Sequence, residues 1–443
     1  LSEARALNAL FTDKMPVLSS VKGAFGHSLA AAGAIEAVVS AISVSDHIIP
    51  ANTGSREPDP ELQLNPLSRP KKARLGTVLS NSFGFGGNNA SVIIGTPRKY
   101  GHSAVATQTG PMTVVGSACI TGAGDTKKTM AKLCEGESCK GMLSLKEVSE
   151  NLSPGKVRRL KRFPRLAMSL AVSALDDSGR TETPSSIFLG TGWGALSETF
   201  DFLTRLYETD EQFPSPTDFV GSVHNSPAGQ VAMLFQSTGA NVTTTGGDYS
   251  FEQSLMTAGL LSEGNDNTFL VIGADEGHDA LSGLFDGSVL PAETLSDGGG
   301  ALCLTRGNET SGLNISLEFY ENTENNPHVI SSLIHGLGGP KRINNRYGML
   351  LLGIPAAFRE KGDKQLREFL SLAGFEKPVI DYRKLTGEFA SASAVAAVMA
   401  VSFLKDRTVP GRFFGGKDLL LNGKGVLVMG LGNFITAMEV MSQ

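Results

Sequence analysis

The sequence predicts an α/β protein in which one architecture is used twice. Short apolar runs at 75–79, 112–120, 187–189, 269–274 and 426–429 end in glycine-punctuated turns and alternate with segments of helical period. In addition, Ala30 to Pro50 and Ala390 to Pro410 each hold a small-residue helix and close at Pro without a gap, offset by 360. An internal repeat at domain length implies two copies of one architecture. With 443 residues the chain has room for two or three domains of roughly 100–200 residues each.

Composition narrows the class. A hydrophobic content of 41% and a charged content of 19% describe an ordinary globular protein. The net charge of −5 gives no general reason to expect nucleic acid or an anionic membrane surface. No run approaches the roughly 18 apolar residues of a membrane helix, so no span is expected. Leu1-Ser2-Glu3-Ala4-Arg5 has no apolar signal core, and the missing initiator Met reads as a processed, truncated or partial polypeptide. Four Cys without short repeated spacing read as reduced thiols, which points to the cytoplasm. Cys134 and Cys139 lack a second pair, so no metal site is expected, and no cofactor either.

In chain order, residues 3–11 have helical period, and 16–20 form a short buried strand before the turn at 22–27. A helix follows at 28–45, a strand-like piece at 47–50 and a Pro-, Asn- and charge-rich loop at 52–72. A strand at 75–79 delivers a Gly-rich loop at 81–89, closed by a strand at 90–94. Residues 96–111 lose periodicity and read as a linker. A strand from Met112 then leads to a Gly turn and a helix at 125–136. Helices at 166–177 and before 231–235, strands at 187–189 and 269–274, and a loop and strand over 295–304 follow. The small-residue helix around 389–397 and the strand at 426–429 close the chain.

Two motifs carry a resemblance. Ser20-Val21-Lys22-Gly23-Ala24-Phe25-Gly26-His27 precedes the run Leu29-Ala30-Ala31-Ala32-Gly33-Ala34-Ile35-Glu36, and Asn81-Ser82-Phe83-Gly84-Phe85-Gly86-Gly87 follows about fifty residues later. Together they resemble the C-terminal part of a β-ketoacyl-acyl-carrier-protein synthase. The resemblance implies a thiolase-like fold in α/β/α/β/α layers. Residues 1–95 would be an incomplete copy, 96–111 a linker and 112–443 a complete, divergent copy. It implies acyl chain elongation by decarboxylative Claisen condensation in fatty acid or polyketide and aryl-polyene synthesis. The partners would be an acyl carrier protein bearing acyl and malonyl thioesters and a ketosynthase-type homo- or heterodimer. Condensation needs a thiolate, donors to a developing enolate and an oxyanion hole. By resemblance His27 is a catalytic donor and Lys22 its supporting charge. Phe85 is the gatekeeper of the acyl pocket, in a loop hinged at Gly84 and Gly86. The nucleophilic Cys and first catalytic His of the family have no counterpart in this copy.

The second copy departs from the pattern where chemistry would occur. Thr244-Thr245-Gly246-Gly247-Asp248-Tyr249-Ser250 stands where the nucleophile loop belongs; Asp248 or Gly247 takes the nucleophile's place, and a carboxylate cannot form the thioester. Lys384-Leu385-Thr386-Gly387-Glu388 matches the Lys–Gly–His turn with the His lost, and Gly430-Leu431-Gly432 replaces Gly-Phe-Gly. His335, in His335-Gly336-Leu337-Gly338-Gly339, partly resembles the first-His motif. Cys119 in Ser-Ala-Cys-Ile-Thr-Gly mimics a nucleophile loop but stands where the family has its first strand. Lost chemistry on a kept scaffold resembles a chain-length factor, so the alternative function is a scaffold without turnover. A thiolase acting on coenzyme A esters fits less well, because residues 425–443 lack the Cys-x-Gly-Gly ending. The basic run Lys156-Val157-Arg158-Arg159-Leu160-Lys161-Arg162 is a docking candidate for an acidic carrier, or else a solvated surface segment.

Overall fold

The computed structural model describes residues 2–54, 57–84, 89–96, 111–262, 267–287, 295–306, 312–324 and 326–442. The chain divides into two compact units, Leu1–Ala106 and Thr107–Gln443.

In the first unit a helix, Ser2–Leu10, precedes a short helical turn, Lys22–Phe25, and the helix Ala32–Asp46. Strands β1 (Ile48–Ile49) and β2 (Lys71–Lys72) pair antiparallel, as do β3 (Thr77–Phe83) and β4 (Asn89–Gly95). Residues 16–20, expected to be a strand, make only an isolated bridge from Leu18 to Pro66, and Val17 is exposed. Without a neighbouring strand of its own, this apolar run stays a connector. The Asn81-Ser82-Phe83 part of the expected loop continues β3 instead, because its backbone pairs with residues 89–91. The expectation of no membrane-length run also needs correction. Leu29–Asp46 is long and apolar enough, by length and composition, to cross a membrane, since Ala, Val and Ile crowd around a single acidic residue, Glu36, before the final Asp46.

The second unit holds strands β5 (Met112–Thr121), β6 (Ser186–Gly190), β7 (Asn241–Thr244), β8 (Phe269–Asp275), β9 (Gly298–Thr305), β10 (Leu313–Asn322), β11 (Tyr347–Gly353), β12 (Val379–Asp381), β13 (Thr408–Val409), β14 (Leu419–Leu420), β15 (Gly425–Gly430) and β16 (Phe434–Ser442). Ten of these form one mixed sheet in the order β12-β11-β15-β16-β10-β5-β9-β8-β6-β7. Read outward from the β10–β5 seam, each half repeats the same pattern of two antiparallel neighbours followed by three parallel strands. The inner parallel strands β6, β8, β11 and β15 are buried throughout and read as continuous apolar runs, as sheets covered on both faces do, while the edge strands β7 and β12 are only partly buried.

The helix Ser393–Asp406 lies between the halves, touching β5, β8 and β9 of one and β11, β15 and β16 of the other. Eleven of its fourteen residues are buried, so it must be apolar all round. Small residues let it sit close: a Cβ on Gly300 of β9 would stand 2.4 Å from the Ala394 carbonyl oxygen. The helix Arg162–Ser178 covers β5, β8 and β9 from outside, and Val329–Gly336 covers β10 and β16. These are the layers of a thiolase-like α/β/α/β/α fold.

Candidate functional site

The Lys22–His27 turn is built by sequence that cannot extend a helix. The turn Lys22–Phe25 ends at Gly26, whose φ of 77° lies where a side chain would be strained. A Cβ on Gly23 would stand 2.0 Å from the Thr53 carbonyl oxygen, which fixes that position as glycine too. Lys22 forms an ion pair with Glu36, one turn into the following helix. His27 is exposed, and its Nδ1 accepts the Leu29 backbone N–H at 3.0 Å. That bond places the proton of the neutral ring on Nε2, leaving Nε2–H free to donate. Leu29 holds the geometry with a φ of 50°, an uncommon conformation for a non-glycine residue. Gly84 is exposed directly after β3, while Phe85 and Gly86 lie outside the described residues.

The second unit repeats this turn with different chemistry. The short helix Tyr382–Thr386 ends at Gly387 with φ 94° and ψ 178°, against 77° and −178° at Gly26. Both small-residue helices end in a left-handed residue, His47 and Arg407. Aligning the two glycines sets Arg383 where Lys22 stands and Glu388 where His27 stands. Asp248 sits in the turn Gly247–Tyr249, between β7 and the helix Ser250–Leu261. Arg383 joins all three positions: it donates to Asp248 at 2.8 Å, to Glu388 at 3.1 Å, and to the carbonyl oxygens of Phe389 and Ala390 at 3.2 and 3.1 Å.

Arg383 is 2% exposed and Asp248 19%. Burial pushes the Asp248 carboxyl up to about 6 against the opposing pull of the guanidinium. For Arg383 burial works against the charge, and the two carboxylates overcome it and hold the pKa above the usual range. The arrangement is an ion network without a nucleophile. Sequence reading found Asp248 and Glu388 but paired Lys22 with Lys384. The signal it missed was the offset of 361 that carries Gly26 onto Gly387 and so Lys22 onto Arg383.

The other candidates separate from this centre. His335 is exposed on the last turn of Val329–Gly336, and its ring has no hydrogen-bond partner among the described residues. Cys119 lies buried within β5, and burial pushes its thiol up to about 12, so it is a core residue rather than a nucleophile. Asp275, at the end of β8, accepts from Thr191 Oγ1 and the N–H groups of Gly192 and Trp193, and from the N–H and Oγ of Ser391. It ties the turn after β6 to the entry of the central helix.

The basic run forms one wall of a cleft of about 540 Å³. Arg158, Arg159, Lys161 and Arg162 line it, with the exposed apolar side chains of Met142 and Leu145. Arg162 is engaged by Glu276 and Asp297, and Lys161 by Asp201. Arg158 and Arg159 are exposed and have no ion-pair partner among the described residues. Next to Ser197, which lines the cleft, Glu198 is buried with Oε2 unpartnered, and burial followed by the neighbouring Glu276 pushes its carboxyl up to about 8.

A layered thiolase-like fold with this turn defines a condensing-enzyme scaffold. Residues 1–56 match the C-terminal domain model of β-ketoacyl synthases, and residues 145–324 match the N-terminal domain model. The chain belongs to the β-ketoacyl synthase family. Over 97 residues it is 41% identical to the mitochondrial 3-oxoacyl-[acyl-carrier-protein] synthase of Arabidopsis thaliana, covering 20% of this chain and 21% of that protein. Over 95 residues it is 38% identical to 3-oxoacyl-[acyl-carrier-protein] synthase 1 of Escherichia coli, covering 21% and 23%. The chain thus spans about a fifth of the length of these curated relatives. Among solved structures, the PfaC ketosynthase–chain length factor covers 99% of this chain and 55% of its own, with a TM-score of 0.70 at 14% identity. The ishigamide ketosynthase/chain length factor covers 75% of this chain and 99% of its own, with a TM-score of 0.55 at 17% identity. These two likenesses concern the fold.

Proposed function

We propose that this chain takes part in decarboxylative elongation of acyl chains held on an acyl carrier protein. His27 and Lys22 form the electrophilic side of one catalytic centre, and the second unit is a chain-length-factor-like partner without turnover. The observation that carries this reading is the replacement at equivalent positions: Lys22 and His27 in one repeat, Arg383 and Glu388 in the other. As a malonyl thioester loses carbon dioxide, negative charge gathers on the thioester oxygen, and the free Nε2–H of His27 can donate to it. The ammonium of Lys22, balanced by Glu36, adds a local positive field. In the second unit both terminal nitrogens of Arg383 are engaged, its buried Nε has no partner among the described residues, and a carboxylate holds the His position, so neither acyl transfer nor enolate stabilisation is supported there. This leaves domain limits at 1–95 and 112–443, in a cytoplasmic ketosynthase-type dimer, as part of the proposal.

The cleft at Arg158 and Arg159 supports a carrier contact, since two unpaired cations beside exposed Met142 and Leu145 complement an acidic, partly apolar surface. The test is titration of the chain with malonyl carrier protein at two salt concentrations. Arg158→Glu with Arg159→Glu should weaken binding about tenfold or more and flatten its salt dependence. Unchanged affinity would reject this docking site.

A further inference from the structure

We infer that a cationic cleft at the foot of the second unit's sheet binds a small polyphosphate, a ligand carrying two or more linked phosphate groups. Lys341, Arg342, Asn345 and Arg346 of the short helix Pro340–Arg346 line one side, and Gly423 and Met441 the other. Its volume is about 570 Å³, within the roughly 300–1,000 Å³ typical of small-molecule sites.

The sheet sets its place. β11 starts at Tyr347, directly after the helix, and β15 starts at Gly425 beside it. β16 runs antiparallel to β15 and so brings Met441 back to the same end. The cleft therefore lies at the N-terminal ends of parallel strands, whereas Arg383 follows the C-terminal end of β12. The seven residues of β11, at ~3.3 Å each, put about 20 Å between the two. The cleft also shares no lining residue with the one at Arg158 and Arg159.

Its charges are gathered without balance. Lys341 and Arg342 are exposed and have no ion-pair or hydrogen-bond partner among the described residues. Arg346 Nε and Nη2 hold the buried Glu439 carboxylate, which also accepts from Tyr347 Oη at 2.7 Å. This fixes the guanidinium in the wall and leaves Nη1 without a partner among the described residues. Lys424, next to Gly423, donates to the Asn344 carbonyl oxygen at 3.1 Å. Against these four cations stand two carboxylates near Arg346, Glu439 and Glu318. In a chain of net charge −5 this is a local excess of positive charge. Arg342 and Arg346, one turn apart on the helix, repel each other, a cost that a bound polyanion removes. Gly338 lets Arg342 fold in: its φ is 84°, and a Cβ there would stand 2.5 Å from Arg342 Cδ and 3.0 Å from Nη1.

The lining selects the ligand. It offers guanidinium, ammonium and amide donors, and among the described residues it has no aromatic ring and Met441 as its one apolar side chain. Such a surface favours phosphate oxygens, which a guanidinium meets with paired donors, over a base or an acyl chain. A single phosphate occupies one such fork. Three cations around a cleft of this size match a run of linked phosphates.

The test is isothermal titration of the full chain with sodium tripolyphosphate at two salt concentrations. Saturable binding at a single site is expected, weaker at the higher salt. Lys341→Gln with Arg342→Gln should weaken it about tenfold or more, with the ligand-free thermal midpoint held within about 2 °C. Lys341→Arg, which keeps the charge, should retain binding, and Arg158→Glu with Arg159→Glu should leave it unchanged. Absence of saturable binding, or binding indifferent to Lys341→Gln and Arg342→Gln, would overturn the inference. Loss only on changing Arg158 and Arg159 would overturn it in favour of the other cleft. Orthophosphate bound as tightly as tripolyphosphate would overturn the choice of linked phosphates. Binding to phosphatidylglycerol vesicles without binding of tripolyphosphate would overturn it in favour of an anionic membrane surface.

Discussion

Replacing Arg383 by Met should show what the ion network contributes. The substitution keeps most of the aliphatic volume but leaves Asp248 and Glu388 without their shared cation, and the Phe389 and Ala390 carbonyl groups without a donor. Removing one partner of a buried ion pair costs about 3–5 kcal/mol, because the remaining charge is stranded. At about 2 °C per kcal/mol, the lower end for large domains, the unfolding midpoint of the second unit should fall by roughly 6–10 °C. The deficit should depend on pH. Asp248 is already raised to about 6 in the folded state, above its unfolded value, so the folded form binds its proton more tightly. Its contribution is therefore most favourable in acid and is lost as pH rises toward 6. Without Arg383 the folded pKa moves higher, so the variant's deficit should be smaller at pH 5 than at pH 8. Calorimetry at both pH values measures this. Adding Asp248→Asn and Glu388→Gln to the variant should recover at least half of the loss. A loss under about 1 kcal/mol, or no recovery in the triple variant, would refute the account of Arg383 as the charge that balances this centre.

Further outcomes are expected elsewhere. Glu198→Gln should raise the second unit's midpoint at pH 8.5 and flatten its decline between pH 5 and 8, because a buried carboxyl raised to about 8 costs stability as it ionises; an unchanged slope in thermal scans would exclude Glu198. If the proposed elongation role holds, His27→Ala should abolish carbon dioxide release from a malonyl carrier, measured with labelled malonate, while His335→Ala should leave it unchanged. Gly300→Ala should cost about 1–3 kcal/mol in denaturant titration, since its Cβ would press the Ala394 carbonyl of the central helix.

Much of the fold was legible because its inner strands are continuous apolar runs and its small-residue helices are rich in Ala, Gly, Ser and Val. The repeat was visible for the same reason: Ala30–Pro50 and Ala390–Pro410 keep both size pattern and length. Where reading failed, local pattern was outweighed by pairing. Asn81 to Phe83 look like a loop beside the glycines, yet their backbone is held by 89–91. Residues 16–20 look like a strand but find no ladder. In the site, the lost histidine could be read, but the role of Arg383 could not. The offset of 361 sets Arg383 opposite Lys22, but its partners at 248 and 388 meet it only after folding.

The five bonds to the Asp275 carboxylate have a consequence for how the chain reaches its fold. Their donors lie 82 to 116 residues away along the sequence. Closing loops of that size comes before any return from the contact, so this joint forms late and the search is slow. Until Ser391 arrives, Asp275 is a carboxylate in half-built apolar surroundings, best kept hydrated. The final docking of the central helix is thus coupled to expelling water from one acidic side chain, and replacing Asp275 by residues that cannot gather the same donors should mainly speed unfolding of the second unit and leave its refolding rate little changed.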